Sequence, residues 1–521
     1  MNKMLQTQEN QFSIKTASPY IIPADFPDPD IILVDDTYYM VSTTMHFMPG
    51  WVILRSYNLI DWEHAAYVFN ELESTDAETL KDNKGAYGKG MWAASLRHHK
   101  DKFYISFVAN DTHKTYLFSS EKIKGPWRRS EIKGFYHDMS LLFDDDGRVY
   151  CVSGNTNITL TELEPDLSGP KKDGINTVII QDNPENVNLG YEGSHFYKIH
   201  GKYYIFLIHI PKGKMRTESC FVSDKVDGPY TGHDILCSDL AGWNSGTAQG
   251  GIVQSPDGNW HSLVFQDHGA LGRIPVLVPM KFENDFPVFG EADFTPEQVR
   301  VADLRPDYQY KPLYSNDFTN PAWQWNHIPD KKLVTLEPSL LTIKTDKICK
   351  NIVQAANTLT QRTFTEHCAG SVEIDASAIN EGDVAGLCAL EGQYGFIGIT
   401  KKDGKYKLIA AKHEIPYSPW AMGVYDDEEA DIIAETDISS PKLKLKAVFN
   451  LEYTKENVQF SFCNNINDKA GTMAVFEDFG APVMLRYTLD QFVGVRFALF
   501  IYSTKKSGGT VVFKDFQIDL L

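Results

Sequence analysis

The chain has 521 residues, which is more than one hydrophobic core accommodates, so two or three domains are expected. Its 69 acidic and 50 basic side chains give a net charge of -19, which repels polyphosphate and argues against a nucleic-acid partner. The seven cysteines are scattered and include no Cys-x-x-Cys pair, so neither a disulfide framework nor a zinc site is predicted. A neutral substrate is the better expectation.

The N-terminus carries no targeting or membrane signal in this numbering. Residues 1–10 lack the apolar core of a secretory signal, and no later run approaches the ~20 apolar residues of a membrane span. We therefore expect a soluble protein without a membrane partner, cytoplasmic as written, or periplasmic or secreted if a signal was removed before residue 1. The sequence does not predict an oligomeric state.

A strand pattern recurs through the first 300 residues. A polar turn followed by period-two alternation of aromatic and aliphatic residues occurs at residues 36–41, 101–106, 147–152, 201–206 and 258–263. Repeats of roughly 45 to 65 residues, each with several short strands, are typical of β-propellers, whose blades stack around an axis. Five copies predict five blades, which we place at residues 15–305.

One position in each blade lies ten or eleven residues before the third residue of the pattern. Because the innermost strand of each blade faces the central channel, these five side chains are predicted to converge on the axis. They are Asp28, Trp92, Asp138, Glu192 and Gln249. The alternative is that they are unrelated turn and edge residues.

The sequence pattern changes after residue 305, and the blade repeat is absent from residues 312–521. Alternating segments, for example residues 382–390, 443–449 and 493–501, predict many short strands and favour a β-sandwich. The predicted fold is therefore all-β, a five-bladed β-propeller followed by a β-sandwich domain. The sandwich is interpreted either as a lid that shapes the propeller's pocket or as a separate binding module.

Three carboxylates around one axis suit the hydrolysis of a glycosidic bond. One acid protonates the leaving oxygen while another carboxylate activates water or attacks the sugar. In the inverting reaction the two carboxyl groups stand about 6.5 to 9.5 Å apart to admit a water molecule. The indole of Trp92 offers an apolar face for the C–H groups of a sugar.

Five motifs, at residues 26–30, 91–93, 137–147, 191–197 and 272–275, carry a family resemblance. With them the chain resembles glycoside hydrolase family 43, five-bladed propeller pentosidases whose β-xylosidase and α-L-arabinofuranosidase members carry a C-terminal sandwich. The resemblance implies that Asp28 is the general base and Glu192 the general acid. It also implies that Asp138 orients Glu192 and tunes its pKa, and that Trp92 and Arg273 line the site of the terminal sugar.

Further pocket residues are predicted from position alone. Gln249 shares the axial register, and His46 and Phe47 end the first inner strands, where they would form a pocket wall. Two departures from the family pattern stand out. Ala248 replaces a histidine that in many members lies near a channel cation, and Ala94 replaces a proline.

No metal ligand set and no required cofactor are predicted. The acidic runs at residues 144–147 and 425–431 are interpreted as a hairpin turn and a solvated loop, with a structural calcium ion as the alternative.

The predicted function is an inverting, exo-acting glycoside hydrolase whose partner is an oligosaccharide. It would release terminal α-L-arabinofuranosyl or β-D-xylosyl units from hemicellulose fragments, with a slight preference for arabinofuranose. The alternatives are a β-D-xylosidase acting on xylo-oligosaccharides, a carbohydrate-binding propeller without turnover, and a fructosyl hydrolase that retains configuration.

Overall fold

The computed structural model describes residues 12–240, 242–289, 297–415, 426, 428–464, 474–487 and 492–521. Over these residues the chain is almost entirely β, with three short 3-10 helices at Gly269–Leu271, Lys331–Leu333 and Ile352–Gln354. Five four-stranded sheets are followed by two eight-stranded sheets, which confirms the predicted propeller and sandwich. Within the described ranges there is no helix both long and apolar enough for a transmembrane span.

The propeller strands follow the predicted repeat. In chain order they are β1 (Ser13–Ala17), β2 (Asp30–Val34), β3 (Thr37–Ser42), β4 (Phe47–Met48), β5 (Gly50–Ser56), β6 (Glu63–Phe69), β7 (Ser95–His99), β8 (Lys102–Ala109), β9 (Lys114–Ser120), β10 (Arg128–Ile132), β11 (Ser140–Phe143), β12 (Val149–Ser153), β13 (Asn157–Leu163), β14 (Asn176–Gln181), β15 (Val187–Ile199), β16 (Lys202–Pro211), β17 (Thr217–Ser223), β18 (Thr231–Leu236), β19 (Ala248–Gln254), β20 (Trp260–Asp267), β21 (Arg273–Glu283), β22 (Phe286–Phe289) and β23 (Val299–Asp303).

Blade I consists of β2, β3, β5 and β6, and blades II to V take the next strands four at a time, from β7 to β22. The first strands β2, β7, β11, β15 and β19 contact one another in a closed ring, so they are the innermost strands. Tight turns at Lys100–Asp101 and His200–Gly201 have positive φ at both residues, the geometry that hairpin turns favour. β1 pairs with β23, which joins the two ends of the propeller.

The sandwich strands are β24 (Trp323–Asn326), β25 (Val334–Glu337), β26 (Leu340–Lys344), β27 (Leu359–Arg362), β28 (His367–Ala378), β29 (Asp383–Leu390), β30 (Tyr394–Lys402), β31 (Lys405–His413), β32 (Asp431–Asp437), β33 (Lys442–Asn450), β34 (Asn457–Cys463), β35 (Glu477–Asp478), β36 (Val483–Met484), β37 (Arg496–Ser503) and β38 (Thr510–Leu520). One sheet has the order β32-β31-β30-β29-β37-β27-β24-β4, so a strand of the propeller completes it. The other is β25-β26-β38-β28-β33-β34-β35, with β36 paired to β34.

The two domains share one hydrophobic core. A single buried cluster contains Phe26 and Leu54 of the propeller together with Leu341, Phe497 and Phe516 of the sandwich. Apolar burial is the main driving force for such packing, so the domains are expected to stabilise each other.

Two buried arginines of the sandwich reinforce this interface. The Arg362 guanidinium lies 4.2 Å from the ring of Phe26, and its Nε donates a hydrogen bond to the Asp25 carbonyl at 2.6 Å. The Arg496 guanidinium lies 3.5 Å from the ring of Phe47. Cations over aromatic faces are attractive, and more so when desolvated. The sandwich therefore fixes the segment that leads into Asp28.

Candidate active site

A cavity of about 390 Å³ lies where the N-terminal ends of the innermost strands meet. All five side chains of the predicted axial register line it, as does Arg273. Residues that sequence reasoning did not single out complete the lining: Met45, Ala93, His137, Asn155, Leu189, Ile208, Ile210, Arg216 and Phe492. The structure thus brings three carboxylates and two arginines from several blades into one space.

The backbone at the register positions turns the side chains inward. Asp28, Asp138 and Gln249 have φ values of 51, 46 and 65 degrees, in the left-handed region that non-glycine residues rarely adopt. Glu192 lies between two shifts in the β15–β16 register, and such bulges re-aim side chains. Backbone strain of this kind, on the order of 1–3 kcal/mol each, is concentrated at functional sites.

Close packing and backbone conformation both favour a glycine at position 193, directly after Glu192. A Cβ at this position would lie 2.9 Å from Cδ of Gln249, so any larger residue would displace the Gln249 side chain. Its φ is 65 degrees, and its amide donates a hydrogen bond to Oδ2 of Asp138 at 3.2 Å. The glycine therefore lets the register positions of blades III, IV and V approach one another.

Asp28 is buried, with 5% of its surface exposed, and is held by arginine. Nη1 of Arg273 donates a hydrogen bond to its Oδ1 at 2.8 Å. Asp267 anchors both arginines of the cavity, at 3.3 Å from Arg273 and 2.7 Å from Arg216. Burial raises the pKa of Asp28, while Arg273 and Arg216 act in the opposite direction. Burial is the larger effect, so the pKa of Asp28 lies above its usual value, and the ion pair with Arg273 limits this rise in favour of the carboxylate form that a general base requires.

Glu192 presents one carboxylate oxygen to two polar neighbours. Its Oε2 accepts a hydrogen bond from Nδ2 of Asn155 at 2.5 Å and lies 3.3 Å from Nε2 of His137. The same His137 nitrogen is 3.7 Å from Oδ2 of Asp138. Burial, with the nearby charges of Glu192 and Asp28, raises the pKa of Asp138 to about 6, against the opposing effect of His137. Glu192 and Asp138 therefore form a linked group with His137 between them.

His137 is a cationic member of the site. Burial lowers its pKa, but the carboxylates of Asp138 and Glu192 outweigh this effect and raise it to about 9. While both carboxylates are ionised, the imidazole is therefore protonated at neutral pH. The only feature of the sequence that could have indicated His137 as a site residue is its position directly before Asp138. That position does not show which groups the imidazole contacts.

The raised pKa of His137 predicts a pH-dependent contribution to stability. Because the folded-state pKa exceeds the ordinary value of 6.5, the contribution is fully present below pH 6.5 and is lost as pH rises through about 9. The destabilisation caused by His137→Asn, measured by urea unfolding between pH 6.5 and 10, should shrink across this window. His200→Asn, at an exposed turn, is the control. A pH-independent difference for His137→Asn would contradict the assignment.

Aromatic rings form one wall of the cavity. The indole of Trp92 donates from Nε1 to the Gly88 carbonyl at 3.2 Å, which fixes the plane of the ring. Phe492 belongs to the sandwich, and its ring centroid lies 5.6 Å from that of Trp92 and 5.7 Å from the Arg273 guanidinium. The second domain therefore supplies part of the wall, as the lid interpretation expects.

Phe492→Ala is expected to lower kcat/KM by about tenfold, because it removes an apolar wall from the cavity. The loss should come mainly through KM, since the substitution leaves the carboxylates in place. Steady-state kinetics on an aryl glycoside test this. Met484→Ala, which truncates an exposed apolar side chain of the sandwich, is the control. Equal kinetics for both variants would show that the sandwich does not shape the site.

His46 and Phe47, which the sequence predicted as a pocket wall, are not among the residues that line this cavity. Both are buried, with 2% and 1% of their surfaces exposed. The His46 ring packs against Phe47, Tyr87 and His327 at 4.3 to 4.8 Å. Phe47 belongs to β4, which pairs with β24 of the sandwich instead of joining blade I. These residues hold the domains together.

The channel below the cavity is closed by an ion pair. Arg97 of β7 donates from Nη1 to Oδ2 of Asp30 at 2.7 Å, from Nη2 to Oγ of Ser140 at 2.6 Å and from Nε to the Leu141 carbonyl at 2.8 Å. Nδ1 of His195 lies 3.3 Å from Oδ1 of Asp30. The Asp30 carboxylate is thus already paired with a buried guanidinium, which compensates the charge that would attract a cation. Together with Ala248, these residues do not fit a metal ion in the channel.

The propeller gathers carboxylates from separate blades beside an aromatic wall, and these are the groups that hydrolysis of a glycosidic bond uses. The family model described as glycosyl hydrolases family 43 matches residues 18–287, and the model described as the β-xylosidase C-terminal concanavalin A-like domain matches residues 313–519. The chain belongs to glycoside hydrolase family 43.

Individual relatives agree with this assignment. A β-xylosidase from Formosa agariphila is 27% identical over 454 residues, which cover 75% of this chain and 76% of that protein. A non-reducing end α-L-arabinofuranosidase from Bacteroides ovatus is 24% identical over 427 residues, covering 76% and 78%. The solved structure of a bifunctional GH43-CE protein from Bacteroides eggerthii is 35% identical with a TM-score of 0.87. That alignment covers 98% of this chain and 64% of the solved one, so this chain spans less than two thirds of that protein.

Proposed function

We propose that the protein is an inverting, exo-acting hydrolase that releases terminal α-L-arabinofuranosyl or β-D-xylosyl units from hemicellulose-derived oligosaccharides. The observation that carries this proposal is the placement of Asp28 and Glu192, from blades I and IV, on one cavity of about 390 Å³. The names of the relatives include both β-xylosidase and α-L-arabinofuranosidase, which supports both sugars.

Asp28 acts as the general base in this proposal. Its carboxylate takes a proton from the water that attacks the anomeric carbon, while Arg273 holds the carboxylate in place at 2.8 Å. Glu192 acts as the general acid and gives its proton to the glycosidic oxygen as the bond to the leaving group breaks. Asp138 and Asn155 position Glu192 for that transfer.

The shape of the cavity supports the exo action that we propose. Arg97 and Asp30 close the channel two residues beyond Asp28, and Trp92 and Phe492 wall one side. A chain end therefore enters, and an internal unit of a straight polysaccharide does not pass through. The apolar ring faces suit the C–H groups of a pentose, and Arg273 also offers a donor fork for hydroxyl groups.

Hydrolysis of 4-nitrophenyl α-L-arabinofuranoside and 4-nitrophenyl β-D-xyloside tests the proposal. Turnover of either substrate, with release of the free pentose, is the expected result. Tight sugar binding without turnover would favour the carbohydrate-binding alternative. Turnover of fructosides alone would favour the fructosyl hydrolase.

We also propose that the reaction requires no metal ion or organic cofactor. Within the described residues, one set of three side chains has ligand atoms all within 4.8 Å of one another, namely His137, Asp138 and Glu192. The proton on His137 competes with a metal ion there, and proton transfer by carboxylates needs none. Dialysis against EDTA should leave kcat/KM within about twofold of the untreated value. A large loss that calcium restores would contradict this proposal.

A further inference from the structure

A second cavity of about 590 Å³ adjoins the active site. One side is the connection from β10 to β11, and the other side is formed by strands β12, β13 and β14 of blade III. We call it the blade III groove, and its lining residues are Lys133, Gly134, Phe135, Tyr136, His137, Ser153, Gly154, Thr159, Thr161, Pro170 and Asn176. His137 lines both the groove and the active-site cavity, so the two spaces adjoin at this residue.

The acid Glu192 faces this boundary. Its Oε2 contacts His137, which belongs to both spaces, and Asn155, which directly follows Gly154 of the groove. A general acid must lie within hydrogen-bond reach of the leaving oxygen. The part of the substrate bonded to that oxygen therefore lies on the His137 and Asn155 side of the active site, where the groove begins.

The lining of the groove fits a neutral sugar chain. The ring of Phe135 stacks on His113 with centroids 4.4 Å apart and an angle of 13 degrees, which fixes an aromatic face. Asn176, Thr159 and Lys133 add amide, hydroxyl and ammonium groups, and the lining includes no carboxylate. Small-ligand sites usually have a volume of about 300–1,000 Å³ and combine an apolar or aromatic face with a few fixed polar groups.

We propose that the blade III groove binds the leaving-group portion of the oligosaccharide, two or more neutral sugar units beyond the bond that is cleaved. This inference rests on the proposed function, because it assigns the proton-donor role to Glu192. It makes the enzyme selective for chain length as well as for the terminal sugar.

Filling the groove tests the proposal. Asn176 lines it, whereas the adjacent exposed Thr177 does not, because neighbouring residues of a strand point to opposite faces. Asn176→Trp and Thr177→Trp are compared on a 4-nitrophenyl glycoside and on xylotetraose, or on its arabinofuranosyl-substituted form if arabinofuranose is the sugar released. For Asn176→Trp, the ratio of kcat/KM on the oligosaccharide to kcat/KM on the aryl glycoside should fall about tenfold. For Thr177→Trp it should stay at the wild-type value.

A ratio within twofold of wild type for Asn176→Trp would overturn the groove assignment, and so would an equal fall for both variants. If the wild type hydrolyses no glycoside, the proposed function fails, and calorimetric binding of xylotetraose then tests the groove separately. Weaker binding by Asn176→Trp alone would support the groove, and equal binding by all three proteins would overturn it.

Discussion

Asp28→Asn is expected to lower kcat by about 1,000-fold, because the amide cannot accept a proton from the attacking water. The substitution keeps the shape of the side chain, and its amide oxygen still accepts the hydrogen bond that Arg273 donates at 2.8 Å. KM should change little, since the lost interaction belongs to the transition state. Steady-state kinetics on the better of the two aryl glycosides measure the effect.

Asp145→Asn is the matched control for Asp28→Asn. Its side chain is 86% exposed in the turn between β11 and β12, away from the cavity. Thermal unfolding of all three proteins separates loss of chemistry from loss of fold, because Arg273 is partly uncompensated in the Asp28 variant. If a folded Asp28→Asn protein keeps activity within tenfold of the wild type, Asp28 is not the general base.

The fall in kcat/KM caused by Glu192→Gln is expected to depend on the leaving group of the substrate. On xylo-oligosaccharides, whose leaving group is a poorly acidic alcohol, kcat/KM should fall by about 1,000-fold because the proton donor is gone. On a 2,4-dinitrophenyl glycoside, whose leaving group departs without a proton, the fall should stay below about tenfold. The contrast between the two substrates identifies a general acid more sharply than either rate alone.

Glu185→Gln, at an exposed position before β15, is the control for Glu192→Gln. It should match the wild type on both substrates. An equal loss on both substrates for Glu192→Gln would assign Glu192 to binding or to fold maintenance. It would also remove the basis for placing leaving-group sugars in the blade III groove.

The fold was predictable because its signal is local and repeated. Each blade carries the same turn and alternating strand, so the register of one blade applies to the next, and the five axial positions do line one cavity. His46 and Phe47 lie outside this lining, because they follow the repeated pattern at a point where the chain leaves blade I to form β4. Alternation alone does not say which sheet a two-residue strand joins.

Contacts between residues far apart in the chain could not be predicted from the sequence. Phe492 reaches the cavity from a domain whose strands give no register relative to the propeller. Asn155 follows a strand end that resembles any other polar turn, yet it contacts Glu192 at 2.5 Å. Arg97 lies in β7, outside the recurring pattern, and nothing in the sequence indicated that it pairs with Asp30 at 2.7 Å. Such pairings depend on three-dimensional packing, which a repeat does not encode.

The most direct test of this account is the configuration of the first sugar released. Proton NMR, recorded in the first minutes of hydrolysis before mutarotation, distinguishes the anomers. Asp28 acting on water and Glu192 acting as the acid predict that the anomeric configuration is inverted. A first product with retained configuration would mean that a carboxylate attacks the sugar, and it would contradict the assignment of Asp28 as a general base.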